Sequence, residues 1–234
     1  MIAHFEELDW QNTRMGELTL RRRADPETAE LIYEVKLNDE YLMSSLFTVA
    51  EEELARLGLA AASGTDLDVL VGGLGLGYTA VTALGDARVR TVDVIDALPA
   101  VIGWHERELL PVSATLVRDA RTSLIHDDFF AVARRTPEAE DTRYDVILLD
   151  VDHSPRHTLD PSHADLYTVR GLESLAGHLS DHGVFALWSD DAPDAEFLGT
   201  LSAVFDDSVA HVVEFANRLT GGTSSNTVYV ARRR

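Results

Sequence analysis

The chain has 234 residues, 45% of them hydrophobic, with 40 acidic side chains against 20 basic ones and a formal net charge of -20. Cysteine is absent, which excludes disulfides, zinc–thiolate sites and cysteine nucleophiles. A surface this acidic repels nucleic acid, whose affinity for proteins rests on phosphate contacts; it reads first as a solvated, solubilising surface and second as a field that attracts cationic small molecules.

The length fits one full core with a small appendage. No apolar run reaches the length of a membrane span and no charged-then-apolar leader opens the chain, so a cytoplasmic protein with no membrane or nucleic-acid partner is expected. In the first 45 residues, GELTLRRR and LIYEVKLN alternate apolar and polar positions around ADPETAE, which predicts an antiparallel hairpin. Tyr41–Met43 adds more strand. TVAEEELARLGLA reads as a helix, with Thr48 and Glu51 as a capping box and Gly58 at its end.

From Asp66 the rhythm changes. DLDVLVGG is a buried strand and YTAVTALG a helix closing at Gly85. VRTVDVID is the second strand, and PAVIGWHERELL a helix with proline near its start. TSLIHDD and YDVILLDVD are the third and fourth strands. After a loop rich in histidine and proline come the helix ADLYTVRGLESLAGHL, the strand GVFALWS and the helix DAEFLGTLSAVF. AHVVEFA and NTVYVARR close the chain as two strands around LTGGTSSN. Short apolar strands alternating with helices predict an α/β fold: a mostly parallel sheet covered on both faces, with an antiparallel last strand. The expected division is an N-terminal hairpin and connecting helix over 1–60, then a Rossmann-like domain over 61–234.

Open sheets of this kind bind ligands at the carboxyl ends of their strands. The residues there are Gly72–Gly77, Asp96, Asp127 and Asp128, Asp150–His153 and Trp188–Asp191. The glycine loop needs a bare main chain, for a tight turn or close approach of a ligand. It lacks the lysine of a P-loop, and its third fingerprint position is Tyr78 rather than glycine. Gly73-x-Gly75-x-Gly77 resembles instead motif one of the class I S-adenosylmethionine-dependent methyltransferases. Asp96, ending the second strand, is the residue type that accepts bonds from two ribose hydroxyls, with Asp93 on the same strand as the competing candidate. Asp128, or Asp127, is placed to receive an adenine amino group.

With these residues together, most of the chain resembles the polyamine aminopropyltransferases, the spermidine synthase-like proteins. DVLVGGLGLG is similar to their nucleoside loop, VIDALPAVI to their acidic strand end, LIHDDFF to their adenine motif and YDVILLDVDHSP to their signature around the catalytic acid. LYTVRGLESLAGHLSDHGVFAL is similar to the helix and strand that follow, with Tyr167 at an aromatic position. The resemblance implies a Rossmann-like class I methyltransferase fold, a donor of S-adenosylmethionine or its decarboxylated form, and a homodimer. It places Gly72, Gly73, Gly75, Gly77, Asp96, Asp127 and Asp128 on the donor and Asp150 as general base. The acceptor is a small nucleophile, a cationic amine among the candidates, met by Asp152, His153 and Tyr167.

Three departures stand out. Gly75 replaces the family's acid that meets the donor's amine. Asp150-Val-Asp152-His153-Ser154-Pro155 differs from the family's spacing. Ala50-Glu51-Glu52 stands where the family has Tyr-His-Glu. Methyl transfer is therefore expected ahead of aminopropyl transfer. Two further readings are a Mg²⁺-dependent O-methyltransferase, with Asp150, Asp190 and Asp191 as ligands, and a nucleoside-binding module without catalysis. No metal is assigned.

Overall fold

A computed structural model describes residues 5–38, 40–138 and 141–234. Four antiparallel strands come first: β1 (Phe5–Thr13), β2 (Gly16–Ala24), β3 (Leu31–Leu37) and β4 (Glu40–Ser44), paired in that order. The alternation in β2 and β3 turns Leu18, Leu20 and Val35 inward, all fully buried. β1 is an addition to the expected hairpin. FEELDWQNT is too polar to read as a strand, because its face is covered only in part. Asp9 in β1 ties this sheet to the rest: its Oδ2 accepts from Trp104 Nε1 (2.6 Å) and Arg107 (2.7 Å).

Helix α1 (Val49–Ala61) leads into the second sheet. Then follow β5 (Leu67–Gly72), α2 (Tyr78–Leu84), β6 (Val89–Asp96), α3 (Pro99–Glu106), α4 (Ser113–Arg118), β7 (Thr122–His126), α5 (Phe129–Arg134) and β8 (Tyr144–Leu149). A single 3₁₀ turn (Pro161–His163), α6 (Val169–Ala176), β9 (Leu179–Ser189), α7 (Ala195–Val204), β10 (Asp206–Asn217) and β11 (Gly222–Arg232) complete the chain. The sheet order is β10-β11-β9-β8-β5-β6-β7. Strands β5 to β9 run parallel, and β11 lies antiparallel between β9 and β10. This is the expected α/β class, with the separate antiparallel sheet in front. Val146–Leu149 are fully buried, as a central parallel strand covered on both faces requires.

Several local expectations change. Thr48 and Glu51 form no capping box. The Thr48 hydroxyl donates to Glu52 (3.0 Å) instead, and no side chain caps α1. Gly58 does not end the helix. It lies three residues inside it, where a Cβ would meet Leu148 at 2.6 Å, so the glycine permits close packing of helix on sheet. The third helix stops at Glu106 rather than Leu110, and α4, unread in the sequence, supplies a second short helix before β7. The sixth helix begins only at Val169, capped by the Thr168 hydroxyl on the Gly171 amide (3.2 Å), and β9 starts four residues before the expected strand.

Candidate active site

The chain passes from β5 outward to β6 and β7, then returns to β8 on the other side of β5. This reversal opens a crevice above the carboxyl ends of β5 and β8, the place where such sheets hold ligands. A cavity of about 890 Å³ lies there. Its walls are the glycine loop, the strand ends carrying Asp96 and Asp150, the start of α5, the loop 151–163 and the turns of the N-terminal sheet.

The glycine loop is held from three sides. Gly73 has φ +94 and passes so near β8 that a Cβ would lie 2.1 Å from the Asp150 carbonyl. The Asp150 amide in turn donates to the Gly72 carbonyl (2.8 Å). Gly77 has φ +89 and rests on His105, Val112 and Leu116. Gly75 has φ +47 and faces Met43, whose sulfur would be 3.1 Å from an added Cβ. Gly73, Gly75 and Gly77 line the cavity, while Gly72 is buried beneath Phe129 and Leu149.

A residue the sequence did not single out fixes this loop. His105, fully buried in α3, donates from Nε2 to the Gly75 carbonyl (3.0 Å), and its Nδ1 lies 3.1 Å from the Ser113 hydroxyl. Because a carbonyl only accepts, the proton must sit on Nε2. Burial holds this imidazole below its usual pKa, so it stays neutral and keeps that tautomer. Only a helix-facing histidine marked it in the sequence.

Asp96 lines the cavity from the end of β6 and also braces the loop, accepting from the Leu74 amide (3.0 Å) and the Leu98 amide (2.8 Å). Burial raises its pKa, and the amide bonds oppose the rise. Asp128 lines the cavity and caps α5 through Oδ1, which accepts from the Phe130 (2.9 Å) and Ala131 (3.2 Å) amides. Oδ2 has no partner among the described residues. Asp127 lies outside the cavity, exposed and paired with Arg135 (3.1 Å).

Asp150 leaves β8 with its carboxylate in the cavity. Its Oδ2 accepts from the Thr79 hydroxyl (2.7 Å), a side-chain bond and not a helix cap. Burial pushes its pKa up to about 6, against the Thr79 bond. Glu51, from the first turn of α1, enters the same cavity. Burial, then the charge of Asp150, pushes it up to about 8. Burial and the closeness of two like charges both disfavour full ionisation, so near neutral pH the pair holds on to a proton that two separate surface carboxyls would have lost. In the sequence Glu51 reads as the acid of a capping box and as a departure from a family pattern; its pairing with Asp150 is hidden because the two lie 99 positions apart.

His153 lines the cavity, and its carbonyl accepts from the Asp190 amide (2.7 Å). Asp152 and Tyr167 do not line it. Asp152 is buried, with both oxygens engaged: Tyr167 Oη (2.7 Å) on Oδ2, and the Leu159 amide (2.7 Å) and His163 Nδ1 (2.8 Å) on Oδ1. The two residues hold the loop in shape. Among the described residues Asp150, Asp190 and Asp191 form no metal-binding group. Asp190 accepts from Asn226 (2.7 Å) and Asp191 pairs with His157 (3.1 Å).

Fold and site together define a class: a Rossmann-like α/β domain behind a small antiparallel sheet, with its cavity at the switch point of the large sheet. No protein-family model and no curated protein matches the chain. Solved structures do. A spermidine synthase from Thermotoga maritima superposes with TM-score 0.73 and 16% identity, over 97% of this chain and 72% of that one. A spermidine synthase in complex with the transition-state analogue AdoDATO gives TM-score 0.75 and 16% identity, over 97% of this chain and 74% of that one. The chain has the spermidine synthase fold. Among the described residues no helix is long and apolar enough to cross a membrane.

Proposed function

We propose that this protein is a transferase that moves an alkyl group from a sulfonium nucleoside, S-adenosylmethionine or its decarboxylated form, to a small amine. The observation that carries the reading is Asp150: a half-buried carboxylate with a raised pKa, lining the cavity at the switch point beside a bare glycine loop. The residues fit the donor. Gly73, Gly75 and Gly77 leave the loop bare toward the cavity, Asp96 lines it from the end of β6, where it would meet the ribose, and Asp128 lines it from the start of α5. The donor supplies an electrophilic carbon and a neutral thioether leaving group.

The protein's own part is acid–base and electrostatic. Asp150 takes the proton that an attacking amine must lose, and a carboxyl with pKa near 6 is a stronger base than an ordinary one while still ionised at neutral pH. Thr79 fixes its orientation. Glu40, Glu51, Asp96, Asp128, Asp150 and Asp160 line the cavity against one guanidinium, Arg14. That excess of carboxyls supports a cationic acceptor. Alignment of donor and acceptor supplies the rest of the rate.

Methyl is the group we favour, because the resemblance puts the acid that meets an aminopropyl donor's amine at position 75, and Gly75 there carries no acid and faces the Met43 sulfur. Aminopropyl transfer is the second reading, supported by the acidic lining and by the AdoDATO complex of the similar fold. Calorimetry with S-adenosylmethionine, its decarboxylated form and methylthioadenosine tests both. Saturable binding of at least one is expected. A strong preference for the decarboxylated donor, with turnover of putrescine, selects the second reading, and binding of none refutes the proposal.

A further inference from the structure

The proposed chemistry leaves one charged group in the cavity unused. Arg14 is the single guanidinium among the described residues that line it, set against six carboxyls. Arg14 and Met15 form the turn between β1 and β2. The turn is fixed at both ends. Thr13 Oγ1 accepts from the Met15 amide (3.1 Å) and donates to the Gly16 carbonyl (2.8 Å). Glu17 exchanges bonds with Asn38: its amide donates to Asn38 Oδ1 (3.1 Å) and its carbonyl accepts from the Asn38 amide (2.7 Å). Met15 packs on the core, while the Arg14 side chain is exposed at the cavity. Every other arginine except Arg170 holds a carboxylate or a carbonyl. Arg14 holds neither among the described residues, in a chain with 40 acidic side chains to choose from. Its charge does reach the loop 151–163. Asp160 there is held below its usual pKa first by bonds from Ser162 and in smaller part by the charge of Arg14.

A cavity built for cations alone gains nothing from a guanidinium, which repels ammonium groups and weakens the field of the carboxyls. A ligand that also carries a carboxylate needs one. The six acids would otherwise repel it, and the planar guanidinium fork meets two carboxylate oxygens at once. Resting on the transferase reading above, we infer that Arg14 is a specificity-determining residue that binds a carboxylate of the substrates. The ligand class carries ammonium and carboxylate together. It is the amino-acid tail of the sulfonium donor or an amino-acid acceptor, selected against the decarboxylated donor or a plain diamine. Both sources count against aminopropyl transfer to a diamine: either the donor lacks the group that Arg14 binds, or the acceptor brings Arg14 a second cation.

Calorimetry on the full chain tests this in two arms. The first compares S-adenosylmethionine with its decarboxylated form, which differ by the carboxylate alone. The second, with methylthioadenosine saturating, compares 5-aminovalerate with putrescine, which share one ammonium-bearing chain and differ at its other end. Wild type is expected to favour the carboxylated ligand in at least one arm by about 3- to 10-fold, the range for a charged contact that stays open to water. The arm that shows the preference names the source. Arg14→Gln should erase it while leaving the affinity for methylthioadenosine, which has no carboxylate, within about twofold. Arg14→Lys should keep part of it, because a point charge lacks the fork. Arg14 is exposed on a turn, so both variants keep the fold. No preference in either arm, or a preference that survives in Arg14→Gln, overturns the inference and leaves nucleoside binding intact. Failure of methylthioadenosine to bind wild type at all overturns the nucleoside reading itself.

Discussion

Replacing Glu51 with Gln should make the protein more stable at alkaline pH, and the size of the gain tests the carboxyl pair. Burial raises Asp150 from 3.8 to about 6, and burial with the charge of Asp150 raises Glu51 from 4.5 to about 8. A carboxyl whose pKa is higher folded than unfolded binds its proton more tightly in the native state. Its penalty is absent below the unfolded pKa and grows as pH rises, reaching full size above the folded pKa. For this pair, stability falls from pH ~4 to pH ~8 and then levels. Each tenfold in proton affinity is about 1.4 kcal/mol, so the full shifts correspond to about 3 kcal/mol for Asp150 and about 5 kcal/mol for Glu51. Their sum approaches the whole stability of an ordinary domain, about 5–15 kcal/mol. The two shifts share the Asp150–Glu51 repulsion and are not additive, and buried sites respond as if in an effective dielectric nearer 20 than 4, so about 2 kcal/mol is taken for Glu51 alone. Urea unfolding at pH 5, 7 and 9 should show Glu51→Gln within about 1 kcal/mol of wild type at pH 5 and about 2 kcal/mol more stable at pH 9. The other surface carboxylates are ionised across the upper part of this range in both proteins, so their repulsion cancels in the comparison. A variant that follows the wild-type slope between pH 6 and 9, or is the less stable at pH 9, refutes the shared proton.

Three other substitutions probe the site and the fold. Asp150→Asn keeps the Thr79 contact but removes the base. Methylthioadenosine affinity should stay within about threefold while turnover, followed as thioether nucleoside released, falls about 10²–10⁴-fold. Equal loss of binding and turnover would make Asp150 a structural group. Asp96→Ala should weaken nucleoside binding by about 1–3 kcal/mol in calorimetry, since a charged acceptor is lost and the Leu74 amide is left unpaired; unchanged affinity would remove Asp96 from the ribose. Gly58→Ala pits two effects against each other. Helix propensity gains about 1 kcal/mol, but the new methyl meets Leu148 at 2.6 Å in a packed interface, and overpacking costs about 1–3 kcal/mol. A net loss of thermal stability is expected, and a clear gain would show that Leu148 yields freely.

What the sequence revealed and what it hid divide along a physical line. The parallel strands were legible because burial on both faces leaves an unbroken apolar run, as in Val146–Leu149. The glycine loop was legible because positive φ at Gly73, Gly75 and Gly77 demands that residue type locally. Gly58 was misread for the same reason: a glycine near the end of an apolar-periodic segment carries the same signal whether it terminates a helix or lets it approach a sheet. The choice depends on Leu148, 90 positions further on. The site's finer parts are all of this second kind. Thr79 meets Asp150 across 71 positions and His105 meets Gly75 across 30. Asp152 illustrates how proximity in sequence misleads. Two residues past the base, on a loop beside the cavity, it looked placed for the acceptor. Period two sends alternate side chains of an extended segment to one face, which would set it beside Asp150. The strand ends at Leu149, before Asp150, and Asp152 turns inward to collect Tyr167, Leu159 and His163. A carboxylate taken out of water needs that many donors. The loop that seemed to offer its acids to a substrate thus uses one of them to fold itself.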